Sequence, residues 1–486
     1  MDDLQNEKNY LFNIKLAKMI GLHQMLDPET VKYRGVNIYH IAMVGVFLYV
    51  IVTSVIMILS GLYYWSVNIP ISMDYFCKLV FAWYVMYKMF FVIRHSNDMW
   101  NCLSITRYDF TSFGNRNRHI VYRWRERLAW LTKIYAFTYF MACFSYLAFT
   151  LAFNKDKSPV KNHDGSIGYY RQNILNLYII VSDETYNGNY WMFYIVESFG
   201  PYFLTISLLI FDYLLITLCF SICCQMQIIC SAFDSVGHKA LLHHHSSIDY
   251  KVENIKISPN EHDLIYEELK TIIKDHQLVK KKNEDFFKLF RQIILLHIFV
   301  SSLMVIALCF TFIMSFSSDE RFKTSKVSLQ RILCLIPSIL FQIFMLCYLI
   351  DNIHNQNDAL IFALYSSNWT EMDMKCKKLI LMTMNLNNAD NKKLKFTSTK
   401  IVNLEMFFKT MGNCYTVISV LFMGGEVGGM YGMGETKTDM DGLVLKKWAG
   451  ATWYICDWYG WKDVEWMPRI KKVWQLPDAF LFKNNR

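Results

Sequence analysis

Apolar runs too long for a soluble amphipathic helix alternate along this chain with segments dense in charge. Residues 36–73 contain no Lys, Arg, Asp or Glu, which leaves room for a first membrane span within 37–64. Further runs follow at 79–93, which holds Lys88, at 134–154, which holds no charge, and at 198–233, where Asp212 is the only charged residue. Residues 292–318 have no acid or base apart from His297, 332–350 are uncharged, and 410–425 form a shorter run containing Gly412, Asn413 and Thr416. A hydrocarbon core about 30 Å thick needs about 20 apolar residues of helix, so the pattern predicts seven helical spans. The polar atoms of the seventh suit a helix that faces protein or water rather than lipid all round.

Sorting Lys and Arg by side orients these spans. The N-terminal segment and the loops 94–133, 239–291 and 375–409 carry 31, against nine in the three opposite loops. Positive loops stay in the cytosol, so the expected fold is all-α and seven-transmembrane, with the N-terminus inside and the C-terminus outside. A G-protein-coupled receptor has the inverse topology. Arg107-Tyr108-Asp109 also follows the second span rather than the third, and the seventh lacks an Asn-Pro-x-x-Tyr string. The chain divides into a cytosolic segment 1–36, spans one to four in 37–233, and a cytosolic helical loop 234–291. Spans five and six in 292–350, a second cytosolic helix with its approach in 351–409, the seventh span in 410–423 and an external extension 424–486 complete it. That extension is rich first in Gly and then in Trp, and is expected to be dispensable.

Composition supports a lipid setting, with 53% hydrophobic residues, 19% charged and only 8 Pro in 486 residues. The net charge of +9 is sorted by loop, so membrane topology explains it and no nucleic-acid partner is expected. Most of the 13 Cys lie inside apolar runs and behave as small hydrophobes; no CxxC pair occurs. His243-His244-His245 lacks Cys or acidic partners at zinc-like spacing. Neither a metal nor a cofactor is expected, and without a phosphate loop, nucleophile elbow or carboxylate pair the chain is not expected to be an enzyme. Lys88, near the inner end of its span, is expected to snorkel, and Asp212 to make a buried polar contact.

Ile265, Leu269, Ile272, His276, Val279, Asn283, Phe286 and Phe290 recur at alternating spacings of four and three. They form a packing seam that enters the fifth span. Tyr365, Trp369, Met372, Cys376 and Leu379 repeat the pattern in the second cytosolic segment. These seams pack on each other within one chain or are shared between subunits. The second reading makes Ile272, His276, Val279, Tyr365, Trp369, Met372 and Leu379 the assembly residues.

Three strings carry a family resemblance. They are Lys274-Asp275-His276-Gln277-Leu278-Val279 with Glu284-Asp285-Phe286-Phe287, then Ala363-Leu364-Tyr365-Ser366-Ser367-Asn368-Trp369-Thr370, and Asn403-Leu404-Glu405-Met406-Phe407-Phe408-Lys409 running into Asn413-Cys414-Tyr415-Thr416-Val417. In this order, on the inverted topology, the chain resembles the insect odorant-receptor family over roughly residues 10–423. The resemblance implies a tetrameric ligand-gated cation channel in the plasma membrane of olfactory sensory neurons. It further implies an odorant-binding subunit that joins a co-receptor subunit and binds a volatile organic ligand. A gustatory-receptor-like channel is the nearer alternative and a membrane transporter the more distant one.

The family's pocket lies in the outer half of the bundle, which here selects Phe76, Trp83, Tyr84, Tyr87, Tyr139, Cys143, Tyr146, Tyr202, Ile206 and Phe341. Apolar and aromatic walls of this kind suit a volatile ligand. The resemblance also places a pore along the seventh helix, lined by Tyr415, Ile418 and Leu421, with an apolar gate around Ile418.

Overall fold

A computed structural model of the chain describes residues 10–430 apart from 66–68, 115, 154–156, 162–165, 178–180, 238–258, 316–325, 390–392 and 396–400. Two short helices, α1 (Ile14–Met19) and α2 (Leu22–Leu26), precede a hairpin of β1 (Lys32–Tyr33) and β2 (Val36–Asn37). Arg34 and Gly35 turn that hairpin with φ of 50° and 81°, left-handed values that match the twist of paired strands. Asn37 then caps α3 (Ile38–Tyr64), its side-chain oxygen accepting from the Tyr39 amide at 2.9 Å.

The long helices that follow are α4 (Ile69–Arg94), α6 (Arg118–Ala152), α8 (Tyr190–Ser235), α9 (Pro259–Met314) and α10 (Lys326–Ser366). Short α5 (Ser96–Cys102) follows α4. Between α6 and α8 lie a hairpin of β3 (Lys157–Lys161) and β4 (Ile167–Arg171) and short α7 (Asp183–Gly188). The described chain ends with α11 (Met374–Ala389) and α12 (Leu404–Met430). Helices α3, α4, α6, α8, α9 and α10 are long and apolar enough to cross a membrane, and α12 takes the place of the seventh predicted span. Helices suit lipid because each satisfies its own backbone hydrogen bonds where water is absent.

Helix α8 is the hub, packed on α4, α6, α9 and α10, while α3 lies at the edge against α4. Helix α12 rests on α9 and α10 through a stripe of Met406, Thr410, Cys414 and Val417, with Phe407 edge-on to Phe344 at 5.5 Å. Asn403 starts it by accepting from the Met406 amide at 2.9 Å. It runs past the predicted 410–423 into the Gly-rich stretch as far as Met430; the rest of the extension lies outside the described residues. Helix α4 likewise exceeds its predicted run of 79–93, chiefly at its start, where Lys78, which ended the apolar pattern, is paired with Asp74.

Helices α8, α9 and α10, of 46, 56 and 41 residues, are about 69, 84 and 62 Å long at about 1.5 Å per residue. Each outruns a bilayer, and the excess forms with α11 a helical base on the side that bears the N-terminus. The seam in α9 is used inside the chain: Ile265, Leu269, Ile272, His276, Val279, Asn283, Phe286 and Phe290 are all buried. Contrary to the shared-seam expectation, Ile272, His276 and Val279 are thus already covered, as is Met372, whose Cε approaches Gly237. Trp369 and Leu379 are half-buried and Tyr365 is exposed.

Hydrogen bonds tie the base together. Asp275 accepts from the Ser112 amide at 2.8 Å and from its hydroxyl at 3.3 Å. The Ser366 hydroxyl donates to Asp234 at 2.6 Å, and the Asn368 amide to the Val236 carbonyl at 3.3 Å. The approach to α12 is held by the Leu394 amide, which donates to His354 Nε2 at 3.1 Å, and by Lys393 beside Asp358 at 2.7 Å. Burial pushes the imidazoles of His276 and His354 down to about 4.

Candidate ligand-binding site

Four helices meet at a buried charge cluster. Lys88 of α4 lies 3.1 Å from Asp212 of α8, with side chains 0% and 4% exposed. The Tyr139 hydroxyl of α6 donates to the other Asp212 oxygen. The Lys88 ammonium sits 4.6 Å from the Phe211 ring centre and 4.9 Å from that of Tyr84, a cation–π setting in place of water. His297 of α9 stands edge-on to Tyr84 at 5.8 Å. Neither its ring nitrogens nor the Tyr84 hydroxyl has a hydrogen-bond partner among the described residues. Lys88 therefore does not snorkel. An opposite charge within reach makes burial cheaper than stretching to the interface, and Asp212 makes the buried contact expected of it.

At the opposite end, the segment between β4 and α7 dips into the bundle. Gln172, Asn173, Ile174, Leu175, Asn176 and Leu177 are all buried, and buried backbone must find partners. Glu197 of α8, itself fully buried, accepts from the amides of Leu175 at 2.6 Å and Asn176 at 3.2 Å and from the Tyr186 hydroxyl at 3.0 Å. Helix α4 contributes Tyr75, whose hydroxyl donates to the Asn176 carbonyl, and Lys78, which donates to the Ile174 carbonyl at 2.9 Å. Arg331 of α10 donates to the Asn173 carbonyl at 2.9 Å and to the Thr150 hydroxyl, and lies 4.7 Å from the Tyr146 ring centre. Lys78 and Lys88 are ten residues apart on one helix, so cap and floor are separated by about 15 Å.

Between these levels the walls are aromatic and apolar. Cys143 is buried and Tyr146 and Ile206 are half-buried there, while buried Tyr84 and Tyr139 and half-buried Phe341 lie at the level of the floor, where Tyr135 bridges Tyr139 and Phe341 with ring centres 5.3 Å from each. The other predicted wall residues lie apart from this group. Trp83, Tyr87 and Tyr202 are 49%, 39% and 51% exposed on the outside of the bundle. Phe76 faces α3, where its ring meets Gly61 and stands edge-on to Trp65 at 6.0 Å. Sequence reasoning missed Glu197, Arg331 and the dipping loop. Each of those two charges lies one residue outside a predicted apolar run, a position that reads as a water-facing boundary.

On α12, Tyr415 is 73% exposed and Thr416 is also exposed, while Ile418 is half-buried beside buried Val417. The side chain of Leu421 lies outside the described residues. One face of α12 is therefore open opposite its packed stripe.

The family model described as 7tm Odorant receptor matches residues 68–415. The chain belongs to that family. Two solved structures share the receptor's fold. The insect olfactory receptor OR5 from Machilis hrabei superposes with a TM-score of 0.61 at 15% identity, covering 84% of this chain and 97% of its own. The same protein in complex with eugenol gives 0.61 at 16%, covering 84% and 98%. No curated protein matches in sequence. The receptor is a multi-pass membrane protein of a receptor family rather than an enzyme family.

Proposed function

We propose that this receptor is the odorant-binding subunit of a heteromeric, odorant-gated, non-selective cation channel. The observation that carries the reading is the pair of buried polar levels on the same helices, the Lys88–Asp212 floor and the loop clamped by Glu197 and Arg331, with Cys143, Tyr146 and Ile206 between them. A volatile organic molecule there meets Tyr135, Tyr139, Cys143, Ile206 and Phe341, and the free Tyr84 hydroxyl and His297 nitrogens orient its polar group. That a relative of the same fold is solved with eugenol supports an aromatic, hydroxyl-bearing class of ligand.

In this reading the basic side is cytosolic and the open face of α12 meets other subunits around a pore, with Tyr415 and Ile418 toward the axis. The base contributes exposed Phe362, Tyr365, Leu381, Met382 and Leu386 to assembly with a co-receptor subunit in a heterotetramer. The complex sits in the plasma membrane of olfactory sensory neurons.

The test is whole-cell current under a panel of phenols, esters, terpenes and alcohols, with and without an insect odorant co-receptor. Cation current only on co-expression, with potency lowered at least about tenfold by Phe341→Ala, is the expected result. Current from the receptor alone would point to a self-sufficient, gustatory-like channel, and silence in both settings despite surface expression would overturn the channel reading.

A further inference from the structure

A cavity of about 160 Å³ lies where α1 docks against α6 and α8, lined among others by Asn13, Lys15, Arg125, Leu128, Thr132 and Tyr213. Its lining contains two cations and no acid. Neither Lys15 nor Arg125 forms an ion pair among the described residues; Arg125 only donates to the Tyr108 hydroxyl at 3.4 Å. The Tyr213 hydroxyl donates to the Asn13 carbonyl at 3.0 Å, fixing α1 against α8 and so shaping the space. Glu126, the nearest acid along α6, is exposed and outside the lining.

Depth identifies the occupant. The uncharged run of α6 begins at Ile134, and Trp130, 67% exposed, stands one turn earlier between Arg127 and Lys133. Exposed Trp flanked by basic residues marks the headgroup layer. Above it, Phe137, Phe140 and Phe144 are exposed along α6, a surface suited to an acyl chain. From a cationic cavity at headgroup depth, on a helix whose neighbouring face is apolar, we infer that this is a binding site for an anionic phospholipid of the leaflet on the N-terminal side. Lys15 and Arg125 hold its phosphate, while α1 and α6 bracket the glycerol region. A bound lipid would also cement α1 onto the two helices, α6 and α8, that supply Tyr139 and Asp212 to the floor.

Delipidated receptor in detergent, incubated with phosphatidylinositol 4-phosphate or with phosphatidylcholine of the same acyl chains, is examined by native mass spectrometry. The expected result is retention of the anionic lipid at least about tenfold over phosphatidylcholine. Lys15→Gln, at an exposed position where folding is safe, and Lys15→Gln/Arg125→Gln reduce retention stepwise. Lys18→Gln, in the same short helix but outside the lining, leaves it unchanged. Equal retention of both lipids, or undiminished retention by the double variant, overturns the site. Displacement by soluble inositol 1,4-bisphosphate at equal concentration means that a free phosphate ester suffices, which overturns the lipid assignment. Retention by mass depends neither on current nor on which side faces the cytosol, so its failure is separable from failure of the channel reading.

Discussion

At the floor, Lys88 and Asp212 neutralise each other across two helices. In the cap, by contrast, Glu197 and Arg331 direct their hydrogen bonds to the backbone of an inserted loop. Removing half of the floor leaves a buried charge without its counter-ion. Removing a cap charge instead frees backbone groups of a connecting segment, which can swing toward solvent and hydrogen-bond with water. The floor should therefore behave as an all-or-none element of folding, and the cap as a graded one.

The largest effect follows at the floor. Lys88→Met and Asp212→Leu should each destabilise the receptor by about 3–5 kcal/mol, the cost of an uncompensated buried charge. Lys88→Met/Asp212→Leu should recover most of that loss, read as thermal unfolding of purified protein and as surface expression. If the double variant is no better than the worse single one, the pair is not the unit and the contrast with the cap disappears. Glu197→Gln keeps the shape but weakens an acceptor serving two amides and a hydroxyl. About 1.5–3 kcal/mol is at stake. Hydrogen exchange at Leu175 and Asn176 should accelerate while the bundle remains folded; global unfolding instead would make the cap as unyielding as the floor.

The base offers a titratable version of the cap contact. His354 serves the Leu394 backbone amide through Nε2, which it can do only while neutral. Burial lowers its pKa from 6.5 to about 4, so the unfolded chain takes up the proton first. The stability this contact contributes is present above 6.5 and is lost as pH falls toward 4. By roughly pH 5 the loss should reach about 2 kcal/mol. His276, lowered likewise to about 4, adds to it. His354→Gln retains an acceptor without the titration, so its melting temperature should fall less between roughly pH 7 and pH 5. An identical pH profile in that variant would show that the loop contact is not what titrates.

How much of this was legible depends on what period and hydropathy can report. The spans were visible because an uncharged run needs no partner to be recognised. Yet α3 and α8 were equally plain as spans, while 17% of the most apolar stretch of one and 94% of the other are buried. Hydropathy cannot tell lipid from protein, since both are apolar. The α9 seam was legible as a 4,3 repeat, but not its partner, and it packs inside the chain. Asp212 was legible as a buried contact because it is isolated in its run. Lys88 was not, since its pairing depends on a residue 124 positions away. Glu197 and Arg331 escaped notice because a charge at the edge of a run looks hydrated until the loop that covers it is known.

The smallest predicted effect tests the walls between floor and cap. Sequence selected aromatics by depth alone, and depth does not fix helical phase: neighbouring Trp83 and Tyr84 lie about 100° apart around α4. Tyr84 points to the Lys88–Asp212 cluster, whereas Trp83 and Tyr202 are about half exposed on the outside. Substitutions on an outer surface usually change stability by no more than about 0.5 kcal/mol. Trp83→Leu and Tyr202→Leu should therefore shift the melting temperature by no more than a few degrees and leave odorant potency within about twofold of wild type, against the tenfold loss expected for Phe341→Ala. A potency loss at Trp83 as large as that at Phe341 would place the ligand on the lipid-facing side of α4. Floor and cap would then close off a packed core rather than a binding site.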